Sequence, residues 1–266
     1  PTRSGDLGNA RTASRYDSAA TDRRGQWIVG GDKRLRLVIF GASNILSDLF
    51  DCALANGLVP AKVIIHLPED RDERSIPVAQ RVTRLGSLCA PPAIEPIAEF
   101  RPAADEVYLL GPTTPTRAAL AAEVHRRFGV EFHTLVHPTA YVSPLATLGS
   151  GTFVGARSVV AAGAILDEHV FVNRGATIGH DTHIGAFSRI QPGSAVGGLS
   201  TLGRGVTIGI GATLVERLSI GDNAVIGAGS TVLKDVPENV VVFGSPATIR
   251  KPVANPVFGP DAAGSR

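Results

Sequence analysis

Among the 7 histidines of this chain, one is followed directly by a carboxylate, in the pair His180-Asp181. An imidazole next to a carboxylate suits proton transfer near neutral pH. The carboxylate fixes the ring tautomer and supports the imidazolium that forms. On an exposed corner the same pair would simply be solvated, so its meaning depends on the element that carries it. His169, His180 and His183 also raise a three-histidine zinc site. Such ligands must converge from neighbouring elements, and the spacing of these three does not bring them into register. Cys52 and Cys89 form no CxxC pair and are too few for a disulfide framework. They read as small buried hydrophobes in a reducing compartment.

The chain has 266 residues, 44% hydrophobic and 19% charged, the proportions of a soluble globular protein. A net charge of +2 argues against a nucleic-acid binder, which needs a concentrated basic face. No apolar run reaches the roughly 18–20 residues that span a bilayer, and no signal-type h-region stands at the start. The expected location is cytoplasmic.

Residues 1–33, including Trp27, mix polar and small residues without periodicity and read as a flexible tail. From Leu35 the pattern changes. Leu35–Phe40 is an apolar run ending at Gly41, as a buried strand would. Ile45–Asn56 spaces its apolar residues at helical intervals, with Gly57 as C-cap. Lys62–Leu67 and Glu106–Leu110 read as strands, Thr116–Phe128 as a helix closed by Gly129, and Glu131–Val136 as a further strand. Alternating strands and helices predict a small Rossmann-like unit with a parallel sheet over residues 34–135.

Beyond Leu135 a stricter rule takes over. From Val136 to Val232 every sixth residue is Val, Leu or Ile, at all seventeen positions. The residue after the aliphatic is Gly in nine of the seventeen hexads, and the fifth position is small or β-branched almost throughout, as at Ala140, Thr152, Ser158 and Ala212. A period of six does not track the 3.6 of an α-helix. It fits one short strand plus one tight corner, three of which close a triangular coil. Aliphatic and small residues point inward, and glycine is expected at corners that need positive φ. The fold class is therefore α/β plus all-β: a Rossmann-like unit, then a left-handed parallel β-helix over residues 136–250, with 251–266 as a C-terminal tail. The hexads run on to Pro237 with no insertion.

These residues resemble a known group. The hexad run is the hallmark of left-handed β-helix acyltransferases. A small Rossmann-like unit followed by LVHPTAYVSPLA (Leu135–Ala146) is similar to bacterial sugar acyltransferases of the sialic acid O-acetyltransferase type. VNRGATIGHDTHIGAFSRIQPGSAVGG (Val172–Gly198) resembles that family's catalytic coil, and FGSPA (Phe243–Ala247) its closing segment. The resemblance covers residues 35–250. It implies transfer of an acetyl group from acetyl-CoA to a hydroxyl or amine of a sugar or sugar-nucleotide, without a metal. It also implies a homotrimer with sites between subunits, and no nucleic-acid or membrane partner.

The resemblance assigns roles residue by residue. His180, third in the hexad from Ile178, is the general base, Asp181 its orienter, and Asn173 a residue that orients base or substrate. Gly198, one eighteen-residue coil after His180, offers its N–H to the thioester oxygen. Ile210, Gly211, Ala228 and Gly229 match positions lining the CoA channel. The closing segment has Thr248 where the family has a basic residue, so Arg250 and Lys251 are expected to take over the CoA phosphate, Arg250 foremost. Arg189 stands where several relatives have a second histidine. It cannot act as a base at neutral pH and is expected to hold an anionic substrate group. Gly41, Ser43 and Asn44 occupy the substrate-binding turn, although only the first glycine of the family's Gly-rich pattern survives. Two other readings stand beside the transferase: a non-catalytic β-helix binding or assembly module, and zinc-dependent hydration. A pure scaffold has no reason to keep His180-Asp181 at that corner.

Overall fold

The computed structural model describes residues 35–68 and 75–258. The expected tail over 1–33 and the last residues, 259–266, lie outside the described residues.

The first part alternates β1 (Arg36–Phe40), α1 (Leu46–Ala55), β2 (Val59–Ile65), α2 (Val78–Leu85), β3 (Ala93–Pro96), β4 (Glu106–Leu110) and α3 (Arg117–Phe128). The four strands are parallel in the order β3-β2-β1-β4. That order reverses direction between β1 and β4, which opens a crevice at the carboxyl ends of these two strands. β1 is central and fully buried from Leu37 to Phe40, as its unbroken apolar run requires. α1 closes with Gly57 at φ 71°, where Leu58 N–H reaches the Ala53 carbonyl at 3.0 Å and Gly57 N–H the Leu54 carbonyl at 3.0 Å. This pairing satisfies two of the last carbonyls of the helix.

Three local expectations need correction. β2 begins at Val59 rather than Lys62, because Val59 and Pro60 already pair with Arg36 and Leu37 ahead of a register shift. Glu131–Val136 is no continuous strand: only Phe132 bridges to Tyr108, and Leu135–Val136 is already the first rung of the next element. α2 and β3 were not foreseen. β3 is an exposed edge strand ending in Pro96, without an apolar run to betray it.

The second part is a three-sided prism. Seventeen two-residue strands, β5 (Leu135–Val136) to β21 (Thr231–Val232), recur every six residues, and each hexad aliphatic is the second residue of its strand. Strands eighteen residues apart pair in parallel, so the faces are stacks: Leu135, Phe153, Phe171, Arg189, Thr207 and Val225 start the rungs of the first face. Tyr141 starts the second face and Thr147 the third. The aliphatics and the small residues four places later form one continuous buried core. Most of the small residues that carry a hydroxyl donate it to a carbonyl of the next coil, as from Ser158 to Asn173 (2.8 Å) and from Ser188 to Gly203 (2.9 Å), while Ser200 turns to Gly198 in its own coil and Ser230 accepts from Gly244 N–H. The hydroxyls are thus buried without losing their hydrogen bonds.

The glycines after the aliphatic serve a different purpose from the one expected. Positive φ falls two residues later, at Gly163, Gly193 or Gly211, but equally at Arg157, His169, Asp181 and Phe187. At Gly185, which follows an aliphatic, an added Cβ would sit 2.6 Å from the Gly203 carbonyl carbon. These glycines let successive coils approach. The final coil is also shorter than the rule: Val236 bridges to Ile220 and Val242 pairs with Ile226, each sixteen residues on rather than eighteen. The chain then adds β22 (Val240–Gly244) and turns back antiparallel as β23 (Ala247–Pro252).

The α/β part seats on the first face. Phe153 and Phe171 stack at 4.8 Å and share a core with Leu46, Leu49 and Phe50 of the α1 side. Asn56 Nδ2 donates to the Val136 carbonyl at 3.0 Å, and Arg174 pairs with Asp48 at 3.3 Å. At the edge between third and first faces, Arg117 at the start of α3 donates to the carbonyls of Thr113, His169 and Ser188. The same edge carries a row of rings, Phe132–His169–Phe187–Phe258, with centroids 4.8, 4.7 and 5.9 Å apart, the first pair edge-to-face and the other two stacked. Phe132 and Phe258 lie over Gly151 and Gly205, positions where the coil offers no side chain of its own. Phe258 belongs to the stretch expected as a tail; its described part instead folds back onto the prism.

Candidate functional site

His180 and Asp181 turn the corner between second and third faces. Asp181 adopts φ 53°, a conformation that Asn and Asp tolerate better than most residues. That backbone brings its Oδ2 to 2.9 Å from His180 Nδ1. With the Nδ1 proton donated to the carboxylate, Nε2 is left with its lone pair. The two side chains are 57% and 60% exposed, so the pair faces outward from the prism.

Gly198 lies one coil on. A Cβ there would stand 2.8 Å from His180 Nε2, so the imidazole rests against bare backbone. Gly198 N–H donates no hydrogen bond among the described residues, while the next amide, Leu199, is held by the His180 carbonyl at 2.8 Å. A basic nitrogen and an unused amide thus flank one spot. Acyl transfer needs this pair of functions, one to take a proton and one to meet a developing oxyanion.

The other candidates lie elsewhere on the chain. Asn173 turns the corner between first and second faces; it is buried, accepts from Arg174 N–H at 2.8 Å and donates to Gln191 Oε1 at 3.4 Å. Ile210, Gly211, Ala228 and Gly229 turn that same corner two and three coils further on. Arg189 projects from the first face and donates from Nε to Thr207 Oγ1 at 3.1 Å. Arg250 lies on β23. Within one chain, then, His180, Asp181 and Gly198 occupy one edge of the prism, and Asn173 with the four channel candidates another. His169 lies on the third edge, buried, so it does not converge with His180 and His183. His183 pairs instead with Asp167 at 3.0 Å.

The turn after β1 sits at the crevice between β1 and β4. Ser43 Oγ donates to the Gly111 carbonyl at 2.7 Å, and the Asn44 carbonyl and Oδ1 accept from Arg81 at 3.1 and 2.9 Å. His66, at the end of β2, has a buried Nδ1 without a partner, and burial holds its pKa below the ordinary value. Arg81 and His66 escaped the sequence reading. Arg81 sits on the unforeseen α2, which Val78, Val82 and Leu85 at helical spacing would have revealed. Burial pushes the Cys52 thiol up to about 12, which makes it inert.

A hexad prism joined to a small parallel α/β unit defines a left-handed hexapeptide-repeat β-helix protein. Residues 200–234 match the family model described as bacterial transferase hexapeptide (six repeats). The galactoside O-acetyltransferase of Lactococcus lactis subsp. lactis is 44% identical over 48 residues, 18% of this chain and 23% of that protein. That of Escherichia coli K12 is 59% identical over 32 residues, 12% of this chain and 16% of that one. The matched part thus spans less than a quarter of these curated relatives. Likeness to solved structures reaches further. The acetyltransferase domain of PglB from Neisseria gonorrhoeae, in complex with acetyl coenzyme A, shares 26% identity at a TM-score of 0.65, covering 82% of this chain and all of that one. The GDP-perosamine N-acetyltransferase of Caulobacter crescentus, with CoA and GDP-perosamine, has the same fold at a TM-score of 0.67 and 22% identity, over 84% of this chain and 98% of that one. No helix among the described residues is long and apolar enough to cross a membrane.

Proposed function

We propose that this chain is a CoA-dependent acetyltransferase acting on a hydroxyl or amino group of a sugar or sugar-nucleotide. The observation that carries the reading is the stacking of His180, bonded to Asp181, directly against Gly198. The complex of the PglB domain with acetyl coenzyme A supports CoA as the donor. His180 Nε2 takes the proton as the acceptor oxygen or nitrogen attacks the thioester carbonyl. Asp181 holds the tautomer and stabilises the imidazolium. Gly198 N–H receives the oxyanion, and collapse of the tetrahedral intermediate expels CoA as the thiol, protonated by the same imidazolium.

The division of candidates between two edges supports assembly as a homotrimer. The edge bearing His180 of one copy would face the edge bearing Asn173, Ile210, Gly211, Ala228 and Gly229 of another, with Arg250 at the CoA phosphates. The test is thiol release from acetyl-CoA with a panel of amino and hydroxy sugars, for the wild type and His180→Ala, with light scattering for the mass. Release that depends on acceptor and is lost in His180→Ala is expected from a trimer. No release with any acceptor would remove the enzymatic reading, and a monomer would remove the shared site.

A further inference from the structure

Leu199 presents a puzzle of conformation. It stands in the left-handed region, at φ 58°, in a column of corners where other coils have Gly163, Asp181 and Arg217. Among the described residues it is the single aliphatic side chain at positive φ. A bulky side chain crowds the backbone there, which is why glycine, asparagine and aspartate are favoured in this conformation. Phe187, also apolar and left-handed, offsets the strain: it is buried and stacks on His169 and Phe258. Leu199 gains nothing comparable. It is 42% exposed and belongs to none of the apolar cores. Strain that the fold itself does not use points to function.

The position in the chain says which function. Leu199 directly follows Gly198, whose N–H donates to no group among the described residues, and its own N–H is held by the His180 carbonyl at 2.8 Å. The Gly198 carbonyl accepts from Arg217 N–H at 2.9 Å, so the peptide between Gly198 and Leu199 is tied to the coils on both sides. Gly198 has no side chain, and the first one beyond its amide is that of Leu199. With a thioester oxygen at that amide and the carbonyl carbon open to a nucleophile beside His180, two substituents remain to be placed. The sulfur leads away to the rest of CoA, and the acyl tail is left at the corner.

We propose that Leu199 measures the acyl group: its side chain closes the corner beside Gly198, so that acetyl fits and longer tails are turned away. The place of the thioester rests on the acetyl-transfer reading; the selection among donors goes beyond it.

Calorimetry with acetyl-CoA and butyryl-CoA, without any acceptor, reads that selection independently of turnover. The wild type is expected to bind acetyl-CoA at least about 10-fold more tightly than butyryl-CoA, the discrimination a filled apolar slot makes against added methylenes. Leu199→Ala removes about three methylene-sized groups and should narrow the ratio to within about 3-fold. Thiol-release kcat/KM values for the two donors should follow. Leu199→Gly makes the same opening without left-handed strain and serves if the alanine variant does not fold. Equal binding of both thioesters by the wild type, or a preference unchanged in both variants, would overturn the proposal. So would a uniform loss of affinity for both thioesters with a lower mass by light scattering, which would make Leu199 a contact between copies. Absence of binding by either thioester would overturn this proposal and the transferase reading together. A Leu199-dependent preference without thiol release to any acceptor would sink only the transferase reading.

Discussion

The imidazole of His180 lies flat against the backbone of Gly198, eighteen residues later in sequence and one coil away in space. Here an unused amide stands beside a basic nitrogen held by a carboxylate.

Gly198→Ala tests that contact directly. Gly198 is not in the left-handed region, so alanine carries no backbone strain there. Its methyl would nevertheless stand 2.8 Å from Nε2 and must push the ring off the Asp181 carboxylate or away from the acceptor. Displacing a base by this much is expected to lower kcat/KM by about 100-fold. The melting temperature should barely move. Thiol-release kinetics and a thermal melt check both, and a variant of unchanged activity would remove the contact from the site.

The two classes of glycine in the prism make opposite predictions. Gly185→Ala places a methyl 2.6 Å from the next coil's backbone, which cannot retreat without breaking the ladder. Gly193 has φ 67° and open space around it, so Gly193→Asn meets nothing and uses a residue that tolerates this φ. Gly185→Ala is expected to cost about 3 kcal/mol or more, as overpacking against fixed atoms does. Gly193→Asn should stay within about 1 kcal/mol. Urea titrations of both variants measure the difference.

The repeat explains why so much was legible. An aliphatic every six residues dictates strand, corner and stacking partner at once, so rungs from Val136 to Val232 follow from periodicity alone. The Schellman turn at Gly57 and the helix end at Gly129 were equally visible. What stayed hidden was non-repetitive: the exposed edge strand β3, the two-residue shortening after Val232, and Phe258 filling the slot over Gly205. Each depends on contacts between distant residues that leave no local period. The separation of Asn173 from His180 was hidden differently. Seven residues are one more than a hexad, so the two turn successive corners, and only the three-sided geometry shows that these do not meet within one chain.

His169 should make stability depend on pH. Its ring is sandwiched between Phe132 and Phe187, its Nδ1 has no partner, and burial, with Arg117 nearby, lowers its pKa from 6.5 to about 4. The folded state resists a proton that the unfolded state accepts. Its contribution is therefore complete above pH 6.5 and is lost as pH falls from there towards 4. At about 1.4 kcal/mol per pH unit the loss amounts to roughly 3 kcal/mol. His169→Phe places at this position the residue that already occupies the same left-handed corner one coil on, at Phe187. Comparing urea midpoints at pH 7 and pH 4.5, the variant should show a smaller drop than the wild type. An identical drop would assign the acid sensitivity to other groups.

Asn223 anchors the returning C-terminal stretch. Its Oδ1 accepts from the N–H groups of Val257 and Phe258 at 3.0 and 2.9 Å, and its Nδ2 donates to the Phe258 carbonyl at 2.6 Å. Phe258 itself lies over Gly205, with the Arg204 guanidinium 5.0 Å from its ring centre, and so ends the row that begins at Phe132. One side chain therefore holds three backbone groups that the prism ladder does not reach. Asn223→Gly keeps the left-handed backbone, φ 56° here, and deletes those bonds together with the one from Nδ2 to Asn239 Oδ1 at 2.8 Å. At about 1 kcal/mol per hydrogen bond, the docked state loses roughly 3 kcal/mol relative to the released one. Amide exchange at residues 253–258 should accelerate on the order of 100-fold, while the rungs of the prism keep their protection. Exchange that accelerates equally throughout would mean that Asn223 supports the coil rather than the strap.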